Sequence, residues 1–183
     1  MFIITFGNII DDEMLFGKDA FVLPTNPKMR YGMGISDLVY RKAGIDELEA
    51  YCEKTFNVGY SENQLKNDMV PTEIRVTPGF GMKMDIIFAQ SPNTMYFDIK
   101  EDQLLPLLKK TYVNVLKTIY KKGYKNVLLP SLGTGHYGFN HDDVAKMIVP
   151  LIQDFCINHP SIDITLCLID KNVAKIYLKY LHN

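Results

Sequence analysis

The stretch VLLPSLGTGHYGFNHDDVAKMIVPLI, residues 127–152, decides the fold class. Val127–Leu129 is an apolar run that stops at Pro130. A polar loop with glycines at 133, 135 and 138 follows, and Asn140 opens a segment whose apolar residues recur at helical spacing. A strand that breaks into a glycine loop and enters a helix suits phosphate. Glycine lets backbone N–H groups turn toward one point and lets an anion come close. Ser131 and Thr134 add hydroxyl donors, and the helix start adds positive dipole. Asn140 suits an N-cap with Asp143 three residues on, so the aspartates at 142 and 143 are read as serving the helix.

Gly133, Gly135 and Gly138 spell G-x-G-x-x-G, the dinucleotide fingerprint. Three features oppose that reading. The motif lies late in the chain. The acidic residue required about 20 positions further on is misplaced, because Asp163 precedes the next strand and Asp170 ends it. The loop is also longer and more polar than a tight strand–helix turn. No Gly-Lys-Ser/Thr occurs, which excludes a Walker loop.

Working outward, strands are read at Phe2–Phe6, Ala20–Pro24, Thr72–Thr77, Asp85–Gln90, Asn126–Leu129 and Ile162–Ile169. Helices are read at Ile35–Ala43, Asp46–Phe56, Glu101–Lys122, His141–Asn158, with a kink at Pro150, and Val173–Leu181. Residues 57–71 are polar and irregular. This alternation predicts an α/β domain with a mainly parallel or mixed sheet between helices, and one domain over residues 1–183. In such folds ligands bind at the carboxyl ends of strands. Two glycine loops stand there, 24–36 and 130–140, and two such loops can clamp a pyrophosphate from both sides.

The chain has 183 residues, 47% hydrophobic and 22% charged, which fits one soluble globular domain. A net charge of −1 gives no broad footprint for nucleic acid. The pairs Lys109-Lys110 and Lys121-Lys122 are read as a solvated helix face. Cys52, Cys156 and Cys167 are widely spaced in apolar patterns and read as reduced core residues of a cytoplasmic protein. The opening MFIITFGN is too short and lacks the basic start of a signal peptide, and no run suits a membrane span. His136 and His141 lack a standard metal-ligand spacing, so no metal is expected. His159 and His182 are read as surface residues.

Residues 19–44, DAFVLPTNPKMRYGMGISDLVYRKAG, resemble the first motif of the macro domain family, D-A-I-V-N-A-A-N followed by G-G-G-G-V-D. Residues 130–140, PSLGTGHYGFN, resemble its second, P-S-I-S-T-G-x-Y-G-Y-P. Val70–Glu73, Thr77–Phe80 and DIIFAQSP at 85–92 fit the stretches between them. The resemblance implies a three-layer α/β/α macro-like fold with a mixed central sheet that binds ADP-ribose or an ADP-ribosylated protein as a monomer without a cofactor.

By position, the resemblance implies that Asn8, followed by Ile9, meets the adenine amino group and that Asn26 meets the distal ribose. Gly32, Met33, Gly34 and Ile35 fall beside the diphosphate and distal ribose. Ser131, Gly133, Thr134, Gly135, His136 and Tyr137 form the second phosphate loop, with Phe139 over the distal ribose. Leu23 stands where the motif's first Asn belongs, and Ser36 where an Asp tied to hydrolysis belongs. The next residue, Asp37, faces about 100° away along a helix. The implied chemistry is removal of ADP-ribose by water. Asn26 would orient that water and His136 would act as the group titrating near neutrality, with Asp37 as a further base candidate. A non-catalytic reader of ADP-ribose or a related nucleotide metabolite, an ADP-ribose 1″-phosphate phosphatase and a Rossmann-type NAD enzyme are the alternatives.

Overall fold

The computed structural model describes residues 1–58 and 67–182. The irregular reading of 57–71 therefore falls partly outside the described residues, at 59–66. Six strands form one sheet: β1 (Phe2–Phe6), β2 (Ala20–Pro24), β3 (Ile74–Thr77), β4 (Asp85–Ala89), β5 (Asn126–Pro130) and β6 (Asp163–Leu168). Their spatial order is β1-β6-β5-β2-β4-β3, and every pairing is parallel except β3 with β4. The sheet is mixed, as expected.

Period-two alternation sorts the strand residues onto two cores. Ala20 and Val22, Ile87 and Ala89, and Val127 and Leu129 face α4 (Glu101–Lys122), α5 (His141–Asn158) and α6 (Lys171–Leu178). Phe21 and Leu23, Ile86 and Phe88, and Leu128 face α2 (Ile35–Ala43) and α3 (Ile45–Phe56). This is the three-layer α/β/α arrangement. A short helix α1 (Asp12–Leu15) and a 3-10 turn at Phe80–Met82 were not expected from the sequence. Cys52, Cys156 and Cys167 are free and buried, and burial pushes the Cys52 thiol up to about 12.

Helix ends follow local signals. Gly44 and Gly123, at φ 103° and 76°, close α2 and α4. Asn140 caps α5, its Oδ1 accepting from the N–H groups of Asp142 and Asp143. Pro150 sits inside α5 without ending it. Asp170, considered above as a dinucleotide acid, instead caps α6 by accepting from Asn172 and Val173. No described helix is long and apolar enough to cross a membrane.

The connections place a crevice. From β2 the chain turns onto the α2/α3 face and returns at β3 and β4, on one side of β2. From β5 it turns onto the opposite face through α5 and returns at β6, on the other side. β2 and β5 are parallel neighbours, with Ala20 opposite Val127 and Phe21 opposite Leu128. Their outgoing loops therefore diverge at one edge of the sheet. That divergence is a topological switch point, where open α/β sheets leave room for a ligand.

Candidate functional site

Both glycine loops leave this switch point, and the protein bridges them there. The Tyr137 hydroxyl of the second loop donates to the Thr25 carbonyl of the first at 3.4 Å. Burial raises the Tyr137 pKa, so the phenol stays protonated and keeps that donor.

In the second loop the hydroxyls are committed to the fold. Ser131 Oγ lies 2.5 Å from the Tyr177 hydroxyl on α6, and Thr134 Oγ1 donates to the Ser131 carbonyl at 3.3 Å. Leu132 N–H donates to the buried Tyr112 hydroxyl on α4 at 2.7 Å. Phe139 is half-buried on the α4-side core, so close beneath Gly133 that a Cβ there would lie 2.8 Å from the ring. With φ at 80°, Gly133 has no ready substitute. What remains for an anion is backbone. The N–H groups of residues 133–137 donate to no acceptor among the described residues, whereas those of Gly138 and Phe139 close the loop onto Gly135 and Gly133. Consecutive free N–H groups in such a turn form an anion-binding nest. His136 is exposed at the loop tip, its ring 5.9 Å from that of Tyr137.

The helix-start dipole expected behind the second loop is largely spent, because Asn140 caps α5. The open helix start is that of α2. Its N-cap, Gly34, has φ 64° and ψ −129°, and no side chain caps it. The N–H groups of Ile35, Ser36 and Asp37 donate to nothing among the described residues. This uncapped start opens from the first loop, with Met33 80% exposed beside it. A second set of donors with the positive end of a helix dipole therefore stands at the same crevice.

Asn26 is spent locally. Its Oδ1 accepts from Lys28 N–H and Arg30 N–H at 3.1 and 3.2 Å, and its Nδ2 donates to the Arg30 carbonyl at 2.8 Å. One amide hydrogen is left for a ligand. Glu49 on α3 fixes the next turn, pairing with Arg30 at 2.6 Å and accepting from Tyr31 N–H at 2.9 Å. Gly32 lies beside Asn26 and the buried Ser36, whose Oγ is 3.5 Å from where a Gly32 Cβ would stand.

Asp37 is turned to other work. Its Oδ1 accepts from the Tyr31 hydroxyl and, at 2.8 Å, from Arg41 Nε. The Tyr31 hydrogen bond and then Arg41 hold its pKa below the ordinary carboxylate value, which makes it a poorer base. Asn8, at the carboxyl end of β1, donates to Asp11 at 2.6 Å, so an acid does stand beside it, and Ile9 is buried.

Glu49, Tyr112, Tyr177 and Thr25 were missed by the sequence reading, because their partners lie 18 to 112 residues away. Replacing Tyr112 by Phe removes the partner of a buried N–H. We expect a loss of about 1–3 kcal/mol in denaturant unfolding, together with weaker hydrogen-exchange protection at Leu132.

The fold defines an α/β protein with a crevice at a topological switch point, lined by two sets of unspent backbone N–H groups. The Macro domain family model matches residues 22–148, and the chain belongs to that family. An O-acetyl-ADP-ribose deacetylase of Escherichia fergusonii is 29% identical over 143 residues, 77% of this chain and 74% of that protein. The Citrobacter koseri deacetylase is 26% identical, covering 89% and 87% of the two chains. Among solved structures, a mutant Oceanobacillus iheyensis macrodomain with ADPR superposes with a TM-score of 0.81 at 23% identity, covering 97% of this chain and 89% of that one. A Trypanosoma brucei macrodomain in complex with ADP-ribose gives 0.75 at 19%, covering 97% and 68%.

Proposed function

We propose that the chain binds ADP-ribose and ADP-ribosyl groups, holding the diphosphate between the two loops. The observation that carries this reading is the pair of unspent N–H sets. One is the nest at residues 133–137 and the other the uncapped start of α2, on loops leaving adjacent parallel strands. A diphosphate offers enough oxygens to use both, and no charged side chain is required. Membership in the macro family and the ADP-ribose complexes of related folds support the ligand.

Hydrolysis of an acyl ester on the distal ribose is the second reading, supported by the relatives named as deacetylases. Asp37 is engaged by Tyr31 and Arg41, and Ser36 stands in the preceding position, so we assign neither as the base. In this reading water attacks the acyl carbonyl carbon and passes a proton to a diphosphate oxygen of the substrate. The bond from that carbon to the ribose oxygen breaks, the ribose oxygen takes that proton and leaves as the hydroxyl, and the acyl group departs as the carboxylic acid. The remaining Asn26 amide hydrogen and His136 are assigned to the ribose. Calorimetric titration of ADP-ribose tests the first reading, with NAD as comparison. The expected result is saturable binding of ADP-ribose and weaker binding of NAD. No heat at millimolar ligand, or preference for NAD, would overturn it. Release of acetate from O-acetyl-ADP-ribose above the uncatalysed rate decides the second.

A further inference from the structure

At the other end of the molecule, α4 and α5 flank a cavity of 380 Å³ that is open to solvent. α4 joins the carboxyl end of β4 to the amino end of β5, and α5 joins β5 to β6 in the same sense. The cavity is lined by residues from Val113 to Lys121 and from Leu151 to His159, which belong to the later halves of both helices. It therefore lies toward the amino edge of the sheet, away from the crevice.

Its floor is apolar, made by Leu116, Leu151 and Phe155. Two further rings stand in its wall. His159, expected to be a surface residue, is half-buried. It stacks on Phe155 at 4.3 Å, and its Nδ1 is 2.8 Å from the Phe155 carbonyl, which fixes the ring. Tyr120 meets His159 edge-on at 4.8 Å and is 60% exposed. Lys117 and Lys121 share one helix face four residues apart, both line the cavity, and neither ammonium is paired among the described residues. Asp154 is the single acid in the lining. Lys121 is solvent-exposed, as the reading of a solvated helix face implies, and it also borders the cavity.

We propose that this cavity is a second ligand site, taking a small planar aromatic anion. The volume lies near the lower end of ligand pockets, about 300–1,000 Å³, and suits one or two fused rings. Exposed ring surface favours a flat apolar body. Two unpaired ammoniums against one carboxylate favour an acidic group on its edge. The inference stands independently of the ADP-ribose reading.

Naphthoate is the probe, titrated into the full chain by protein-observed NMR with and without excess ADP-ribose. Shifts should appear at Leu116, Leu151, Phe155 and His159, with none at residues 131–139 caused by naphthoate. The uncharged methyl ester should bind more weakly, and Lys117→Glu combined with Lys121→Glu should weaken naphthoate roughly tenfold at low salt. Asp154→Asn should tighten it and so supplies a test if the double variant unfolds. The proposal is overturned by no binding, by shifts confined to the crevice, by equal binding of acid and ester, or by a double variant that folds and binds normally. Perturbation of the same residues by protein concentration alone, with no response to naphthoate, would assign the face to a second copy and overturn it as well.

Discussion

Gly135→Glu will abolish ADP-ribose binding while leaving the unfolding temperature nearly unchanged. Gly135 is exposed, does not occupy positive φ, and a Cβ there meets nothing within 4 Å. A longer side chain is thus accepted by the fold. It brings a carboxylate into the nest at residues 133–137, where the free N–H groups await an anion. Like charges forced together at a desolvated contact cost several kcal/mol, so the dissociation constant should rise by a factor on the order of 1000. Calorimetry and thermal unfolding on one sample check both halves. A variant that binds normally would remove the second loop from the site. The contrast with Gly133 matters, because a side chain there meets Phe139 and damages the fold before it touches a ligand.

The parts of this molecule legible in its sequence are those with local causes. α2, α4 and α5 begin and end as read, because Gly44, Gly123 and Asn140 each act on the adjacent turn. β3 begins at Ile74 instead of Thr72 because Thr72 sits at φ 74°, outside the strand region, while its N–H still bonds to Gln90. The two loops were legible as a pair, since alternation predicts a parallel core and glycine marks the turns. Which atoms stay free within them was not. Ser131 reads as a ligand donor until Tyr177, 46 residues later in sequence, comes against its hydroxyl. Both loops read as ending at a helix start, yet Asn140 caps α5 and nothing caps α2. Cap chemistry was in the sequence at both places, as Asn before one helix and Gly before the other. Weighing the two caps against each other would have moved the expected anion toward the first loop. The Asp37–Tyr31–Arg41 cluster had a local signal too, in the i,i+4 spacing of Asp37 and Arg41.

Asn26→Ala will weaken ADP-ribose binding by roughly 100-fold through the loop it holds, a larger effect than one ligand hydrogen bond contributes. Asn-Pro is a turn-initiating pair, and the Asn26 side chain does what that signal implies, folding residues 26–30 around itself with three hydrogen bonds. At about 1 kcal/mol each, these bonds are a substantial share of what keeps Gly32–Ile35 in place ahead of α2. Their loss releases the helix start from its position opposite the nest, and binding must then supply the ordering. Asn26→Asp separates the two roles. It keeps both acceptor bonds, loses the donor to Arg30, and sets a negative charge beside a diphosphate site. Its binding defect should shrink as salt is raised, and the alanine variant's should not. Amide exchange at Lys28 and Arg30 provides the deciding measurement. Faster exchange in Asn26→Ala, in step with lost binding, makes Asn26 the keystone of the loop. Unchanged exchange with binding still lost would mean that its one remaining amide hydrogen carries the interaction with the ligand itself.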